Sequence, residues 1–264
     1  MTFQPVVAGT GLVGWRFLQR TYDSQFKAFT ASPQLERDAD YFSKKIASVK
    51  TAEDLVKDRR LLSVALGAFG LQADIDNRFF IRKILQDGTT SEDALARKLT
   101  DTRYKKLSEA FGFGPGESRT TASKSAMAGI VDQYKTQAFE VSVGAQDDSM
   151  RIALYAQREL ASLARTDSSE KAKWFTLMGQ PPLRSMFETA LGLPTAFGQI
   201  DIDKQQQILS ERTAALLGDS TVSQFSASDT LDRLTTLYLA RAQMAQNALG
   251  SSPGAIALSL LRGA

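Results

Sequence analysis

The sequence predicts an all-α, multihelical fold, made of two helical halves joined by a Gly/Pro/Ser-rich loop. Three observations predict it. Apolar residues recur three and four positions apart along most of the chain, the spacing that lines one face of a helix. These segments open on Ser, Thr, Asp or Pro and close on Gly, the residues that start and stop helices. Nowhere do apolar and polar residues alternate over the length of a half-buried strand.

The elements follow in order. Gly14 to Phe29 carries Phe17, Leu18, Tyr22, Phe26 and Phe29 at helical spacing. Ser32-Pro33 restarts a helix, Ser as N-cap and Pro at its first position, with Leu35, Ala39, Phe42 and Ile46 as its apolar stripe. Thr51-Ala-Glu-Asp54 resembles a capping box, and its helix sets Leu55, Leu62, Leu66 and Phe69 on one side before a stop at Gly70. A further helix runs from near Asp74 to Gly88, richly apolar through Ile75, Phe79, Phe80, Ile84 and Leu85. Short helices are expected at Ser91 to Leu99 and Thr102 to Phe111.

The composition then shifts. Residues 112–121 are rich in Gly, Pro, Ser and Thr and read as a linker or loop. A long helix follows from about Ala122 to Val143, with Ala126, Ile130, Tyr134, Ala138 and Val141 along one face. Asp147 or Asp148 caps a helix bearing Ile152, Tyr155, Leu160 and Leu163. Trp174, Phe175 and Met178 sit in a shorter helix, and Pro181-Pro182 opens one that stops at Gly192. Helices from Asp203 to Leu217 and Asp229 to Leu249 complete the set, the last with Leu231, Leu234, Tyr238, Ala242, Ala245 and Leu249 in register. The expected organisation is a flexible N-terminal arm over 1–14, a first helical half over 15–111, the loop 112–121, a second half over 122–250, and a tail over 251–264 that is apolar from Ala255 to Leu261.

One internal echo stands out. Residues 63–71 resemble residues 185–193, and each copy is followed by Asp-Ile-Asp, at 74–76 and 201–203. These are either two ordinary helix endings or the halves of a diverged duplication.

Composition excludes much chemistry. In 264 residues there is no Cys and no His. Disulfides, thiolate nucleophiles, thiolate metal sites and every Ser-His or Cys-His mechanism are therefore ruled out. A hydrophobic share of 43% supports a real core in a chain of this length. The net charge of +3 comes from 32 basic and 29 acidic residues with their signs interleaved, which suits a solvated mixed surface and not a nucleic-acid face. The longest apolar run, Leu61 to Leu71, is about half the roughly 20 residues a spanning helix needs. No cleavable signal is expected from Val6-Val7-Ala8, so the chain reads as soluble, without membrane insertion; export without a cleavable signal stays open.

Several motifs suggest a site. Gly9-Thr-Gly11-Leu-Val-Gly14 has the dinucleotide-fingerprint spacing, but that motif needs a strand, a sheet and an acid at a strand end. No cofactor is expected there. The acidic pairs Asp74/Asp76, Asp147/Asp148 and Asp201/Asp203 read as caps and first-turn acids, not metal ligands. Asp101-Thr-Arg103-Tyr104 reads as a cap, an ion pair and a packed ring. Arg78, Arg82, Lys83, Lys105 and Lys106 form a basic set that could dock an acidic partner, with Phe111 and Phe113 as accompanying aromatics. No catalytic residue is named.

Asp40-Tyr-Phe-Ser, Thr51 to Leu62, Gly67-Ala-Phe-Gly-Leu71, Lys98 to Tyr104, Arg151-Ile-Ala-Leu-Tyr155, Pro182-Leu-Arg184, Ala190-Leu-Gly-Leu-Pro194 and Asp201-Ile-Asp203 occur in this order. They resemble an alphaproteobacterial family of unknown function (domain of unknown function 1217) whose genes tend to lie among flagellar genes. The resemblance runs from about Trp15 to Arg241. It implies a helical protein tied to the flagellum and carries over no catalytic residue. The function expected is a non-catalytic, flagellum-associated structural or assembly protein acting through protein contacts, in the cytoplasm or the flagellum, with a flagellar component as partner. The alternatives are a cytoplasmic helical adaptor or regulator outside the flagellum and, weakest, a nucleotide-dependent enzyme using the N-terminal Gly-rich segment.

Overall fold

The computed structural model describes residues 3–250. Among them the elements are thirteen α-helices and four short 3-10 turns, with no strand. The helices are α1 (Gly11–Thr30), α2 (Pro33–Lys45), α3 (Ala52–Lys57), α4 (Arg59–Ala68), α5 (Arg78–Asp87), α6 (Leu95–Lys98), α7 (Arg103–Phe111), α8 (Lys124–Gly144), α9 (Asp148–Ala164), α10 (Glu170–Met178), α11 (Pro181–Leu191), α12 (Ile202–Leu217) and α13 (Ser228–Gly250). The fold is all-α, as the periodicity predicts.

The described residues form two compact units. One holds those up to Val6 and Thr21–Val143; the other holds Val7–Arg20 and those from Gly144 on. The boundary is not the 112–121 loop, because that loop is part of the first unit. Thr121 Oγ1 donates to Val49 O at 2.8 Å, and Thr120 Oγ1 to Ala110 O at 2.5 Å. The Glu117 carboxylate accepts from Thr89 N at 2.5 Å, Thr89 Oγ1 at 2.9 Å and Gly114 N at 3.2 Å. Gly112 closes α7 at φ 61° against the backbone of Ser118, which leaves no room for a side chain. Its Gly, Pro and Thr content thus serves a packed turn rather than a tether.

In the first unit α4 is the central element, burying Leu61, Leu62, Val64, Ala65, Leu66 and Ala68. Helix α2 packs on it through Phe42, and α5, α7 and α8 add Ile81, Leu107, Phe111 and Met127 to the same cluster. A Cβ on Gly67 would lie 2.8 Å from the Tyr134 ring, so glycine lets α8 approach α4 closely. Phe139 is fully buried, with Tyr22, Phe26 and Phe29 edge-on to its ring at 5.3–5.6 Å between centroids. The expected stripe on α8 is therefore partly wrong. Met127, Ile130, Val131, Phe139 and Val143 are buried, while Val141 is 39% exposed.

The single helix expected after Thr51 is two helices. The capping box forms as expected, Thr51 accepting from Asp54 N and Asp54 accepting from Thr51 N. At Asp58, however, the backbone is extended (ψ 100°), and its carboxylate caps a new helix by accepting from Arg60 N at 2.9 Å and Leu61 N at 3.1 Å. Pro33 starts α2 as expected, although the Ser32 side chain makes no cap bond. The helix expected near Asp74 begins only at Arg78, after a 3-10 turn over Gln72–Asp74, and Ser91 to Leu99 yields only the four-residue α6.

In the second unit α9, α11 and α13 pack together over Tyr155, Leu160, Phe187, Leu234 and Tyr238. The Phe187 ring stands edge-on to Trp174 at 5.6 Å and to Phe225 at 5.5 Å, all three essentially buried. Asp147 caps α9 through Ser149 N, and Asp201 caps α12 through Asp203 N and Lys204 N. Lys173, 5% exposed, is held by Ala164 O, Ser223 Oγ and Glu170. On α13 Leu231, Leu234 and Tyr238 are buried as expected, but Ala245 is exposed; the side chain of Leu249 and the 251–264 tail lie outside the description.

The 1–14 arm also differs from expectation. Pro5 is buried, and in the first unit Val6 exchanges two hydrogen bonds with the buried Gln25 side chain, at 2.6 and 3.0 Å. In the second unit Val7 N donates to Gln146 Oε1 at 3.2 Å, and α1 already begins at Gly11. The echoed segments share a helix ending. Leu71 N donates to Leu66 O and Leu193 N to Glu188 O, both at 2.9 Å, the six-to-one bond of a Schellman motif. The following Asp triplets differ in role, since Asp201 caps a helix whereas Asp74 accepts from Asn77 and Tyr104 side chains.

Candidate interaction surface

Helix α5 sets the geometry. Ile81, Ile84 and Leu85 point into the core. At 100° per residue, Phe79 then falls on the opposite side of the helix. It is 73% exposed, the one aromatic among the exposed large hydrophobic residues described. The sequence offers Phe79 only as one apolar residue of its helix, beside Ile75, Phe80, Ile84 and Leu85. The periodicity of the core positions in its own helix is the signal that sets it outside, and its neighbour Phe80 does pack, edge-on to Tyr104 at 5.3 Å.

Around Phe79 a shallow groove of about 230 Å³ is lined by Glu53, Val56, Lys57, Arg78 and Arg82. Capped α3 supplies the first three and α5 the rest. The Arg82 guanidinium lies over the Phe79 ring, 5.1 Å from its centroid, and Nη1 donates to Glu53 at 2.6 Å. Arg82 Nε is buried with no hydrogen-bond partner. Glu53 is also paired with Lys57 at 3.3 Å. Arg82, then Lys57, hold the Glu53 carboxyl below its ordinary range. Arg78 is exposed and makes no ion pair within 4 Å among the described residues; Asp76 bonds Arg59 at 2.6 Å, and Arg59 first, then the more distant charge of Arg78, holds its carboxyl low.

The predicted basic set divides. Arg78 and Arg82 come together on the groove. Lys83 pairs with Asp87 at 2.6 Å, and Lys105 with Glu109 at 3.6 Å, both along their own helices. Lys106 is half-buried on α7. Phe111 is fully buried in the core, and Phe113 stacks on it at 5.9 Å, so Phe111 belongs to packing, not to a surface. Lys57 and Glu53, which complete the groove, were missed because their proximity to α5 is a tertiary contact.

The other motifs are absorbed by structure. Asp101 pairs with Arg103 at 2.7 Å, and Arg103 Nη1 donates to Gly70 O at 2.6 Å. Tyr104 donates to Asp74 at 2.7 Å; burial first, then that carboxylate, push its phenol well up. Asp148 pairs with Arg151 and Asp203 with Lys171. Gly9 to Gly14 leads into α1 with no strand among the described residues, so the framework of a dinucleotide turn is missing there. Among the described residues no three acids gather as a metal-binding group, and no helix is long and apolar enough to cross a membrane.

No curated protein matches the chain. The crystal structure of protein AGR_C_984 from Agrobacterium tumefaciens is similar, with a TM-score of 0.69 and 25% identity, over 89% of this chain and 96% of that one. A family model matches residues 68–231, a narrower span than the motifs suggest but more than half of the chain. The chain belongs to the family described as Protein of unknown function (DUF1217).

Proposed function

We propose that this is a non-catalytic structural or assembly protein of the bacterial flagellum, acting through protein contacts in the cytoplasm or on the flagellum itself. The observation that carries the contact role is the exposed Phe79 set among Lys57, Arg78 and Arg82. Aromatic and Arg side chains are the residues enriched where protein surfaces meet. A chain without His or Cys has few means of acid–base or nucleophilic chemistry. Two partly buried tyrosines serve packing: Tyr104 donates to Asp74, and burial pushes Tyr134 up to about 12. The flagellar assignment rests on the resemblance of the ordered motifs to a family whose genes tend to lie among flagellar genes.

The test is fractionation. Hook–basal-body complexes purified from cells carrying an epitope-tagged chain are expected to retain it through detergent and density-gradient steps. A chain absent from flagellar structures at every stage of growth, and that captures no flagellar component from the cytoplasmic fraction, removes the flagellar reading in favour of an adaptor elsewhere.

A further inference from the structure

We propose that the α3/α5 groove docks an acidic segment of its protein partner, with a carboxylate against Arg78 and an apolar side chain against Phe79. The inference rests on the protein-contact reading above and names the chemistry of the partner. Charge complementarity selects an acidic occupant. Three cations, Lys57, Arg78 and Arg82, face one carboxylate, Glu53, which Lys57 and Arg82 already share. Arg78 stands beside them exposed and without a bonded carboxylate, since Asp76, which feels its charge, is bonded to Arg59. A basic segment would meet like charge here, and a neutral one would leave Arg78 without a directly bonded carboxylate.

The hydrophobic half is as specific. Phe79 offers the ring face not covered by Arg82, at 73% exposure, next to the buried Val56. The groove, about 230 Å³, is smaller than the roughly 300 Å³ at which small-molecule pockets begin, yet it admits one side chain. An acidic stretch interrupted by a Leu or an aromatic residue fits both halves. Arg presents a planar fork to a carboxylate, so Arg78 contributes direction as well as charge.

The experiment pans a phage-displayed library of random dodecapeptides against the immobilised full-length chain. Enriched peptides are expected to be acidic and to carry a Leu or an aromatic residue. The most enriched peptide, made as a fluorescein conjugate and titrated by anisotropy, is expected to bind about tenfold more weakly to Arg78→Glu and to Phe79→Ser. Both side chains are exposed, so neither change disturbs the core. Lys204→Glu, the same charge change at an exposed position of α12, is expected to alter affinity less than about twofold. Enrichment of neutral or basic peptides, no enrichment over bare support, or equal binding to wild type, Arg78→Glu and Phe79→Ser each overturns the proposal. The peptide result and the fractionation result are independent, so failure of one is distinguishable from failure of the other.

Discussion

Replacing Asp58 by Ala tests the account of why the chain breaks between α3 and α4. The Asp58 carboxylate does three things at once. It accepts from Arg60 N at 2.9 Å and Leu61 N at 3.1 Å, capping α4, and it accepts from Tyr41 Oη at 2.7 Å, tying α2 to the same corner. Loss of an N-cap acceptor costs about 1–2 kcal/mol, so Asp58→Ala is expected to destabilise the chain by about 1.5 kcal/mol, or about 5 °C in a unit of this size. Asn keeps an acceptor oxygen and caps almost as well as Asp, so Asp58→Asn is expected to recover most of that loss. Tyr41→Phe should cost less than Asp58→Ala and should add little to it in the double variant, because the two share one interaction. Urea unfolding followed by helical ellipticity measures the four variants beside wild type. An Asp58→Ala chain within about 0.3 kcal/mol of wild type, or an Asn variant as unstable as the Ala variant, refutes the capping argument.

Three other outcomes follow from the same structure. Glu170 accepts from Val222 N at 2.7 Å and from Ser223, and pairs with the buried Lys173 ammonium, so Glu170→Ala is expected to cost about 2 kcal/mol in urea unfolding. Burial alone raises the carboxyls of Asp58 and Glu170, but hydrogen bonds, from Tyr41 and from Ser223 respectively, outweigh it and hold both low. Their contribution is thus complete above the unfolded value near pH ~4 and is lost as pH falls through the lower folded value; Asp58→Ala and Glu170→Ala should each lose less stability than wild type between about pH 5 and 2. Phe187→Ala empties the space between Trp174 and Phe225 and is expected to cost about 4 kcal/mol, read as a loss of the Trp near-ultraviolet signal at a lower urea concentration.

Helices were legible wherever their ends are written locally. The Thr51 capping box, the Asp147 cap, the Pro33 and Pro181 starts and the Gly112 and Gly192 stops all form where the residues place them. The break at Asp58 was not legible, because no Gly or Pro marks it and the apolar stripe from Leu55 to Leu62 runs straight through. The division into units was misread because composition reports chain flexibility, not long-range bonds. The Thr121 to Val49 bond joins positions 72 apart, and nothing near 112–121 announces it. Helix α8 buries residues on several sides, including Gln137 and Glu140, so its periodicity names no single core face. The surface was half legible. Arg78 and Arg82 are four apart on one helix and were found together, whereas Lys57 and Glu53 reach them only through packing of α3 on α5. Phe79 was hidden by its apolar neighbours, although its angle from Ile81 places it outside.

The proposed flagellar role is tested most directly by swimming. An in-frame deletion of the gene is expected to shrink the swimming ring in soft agar while leaving the growth rate unchanged, with the wild-type gene in trans restoring the ring and Phe79→Ser restoring it only in part. A deletion strain that swims as far as its parent contradicts the account.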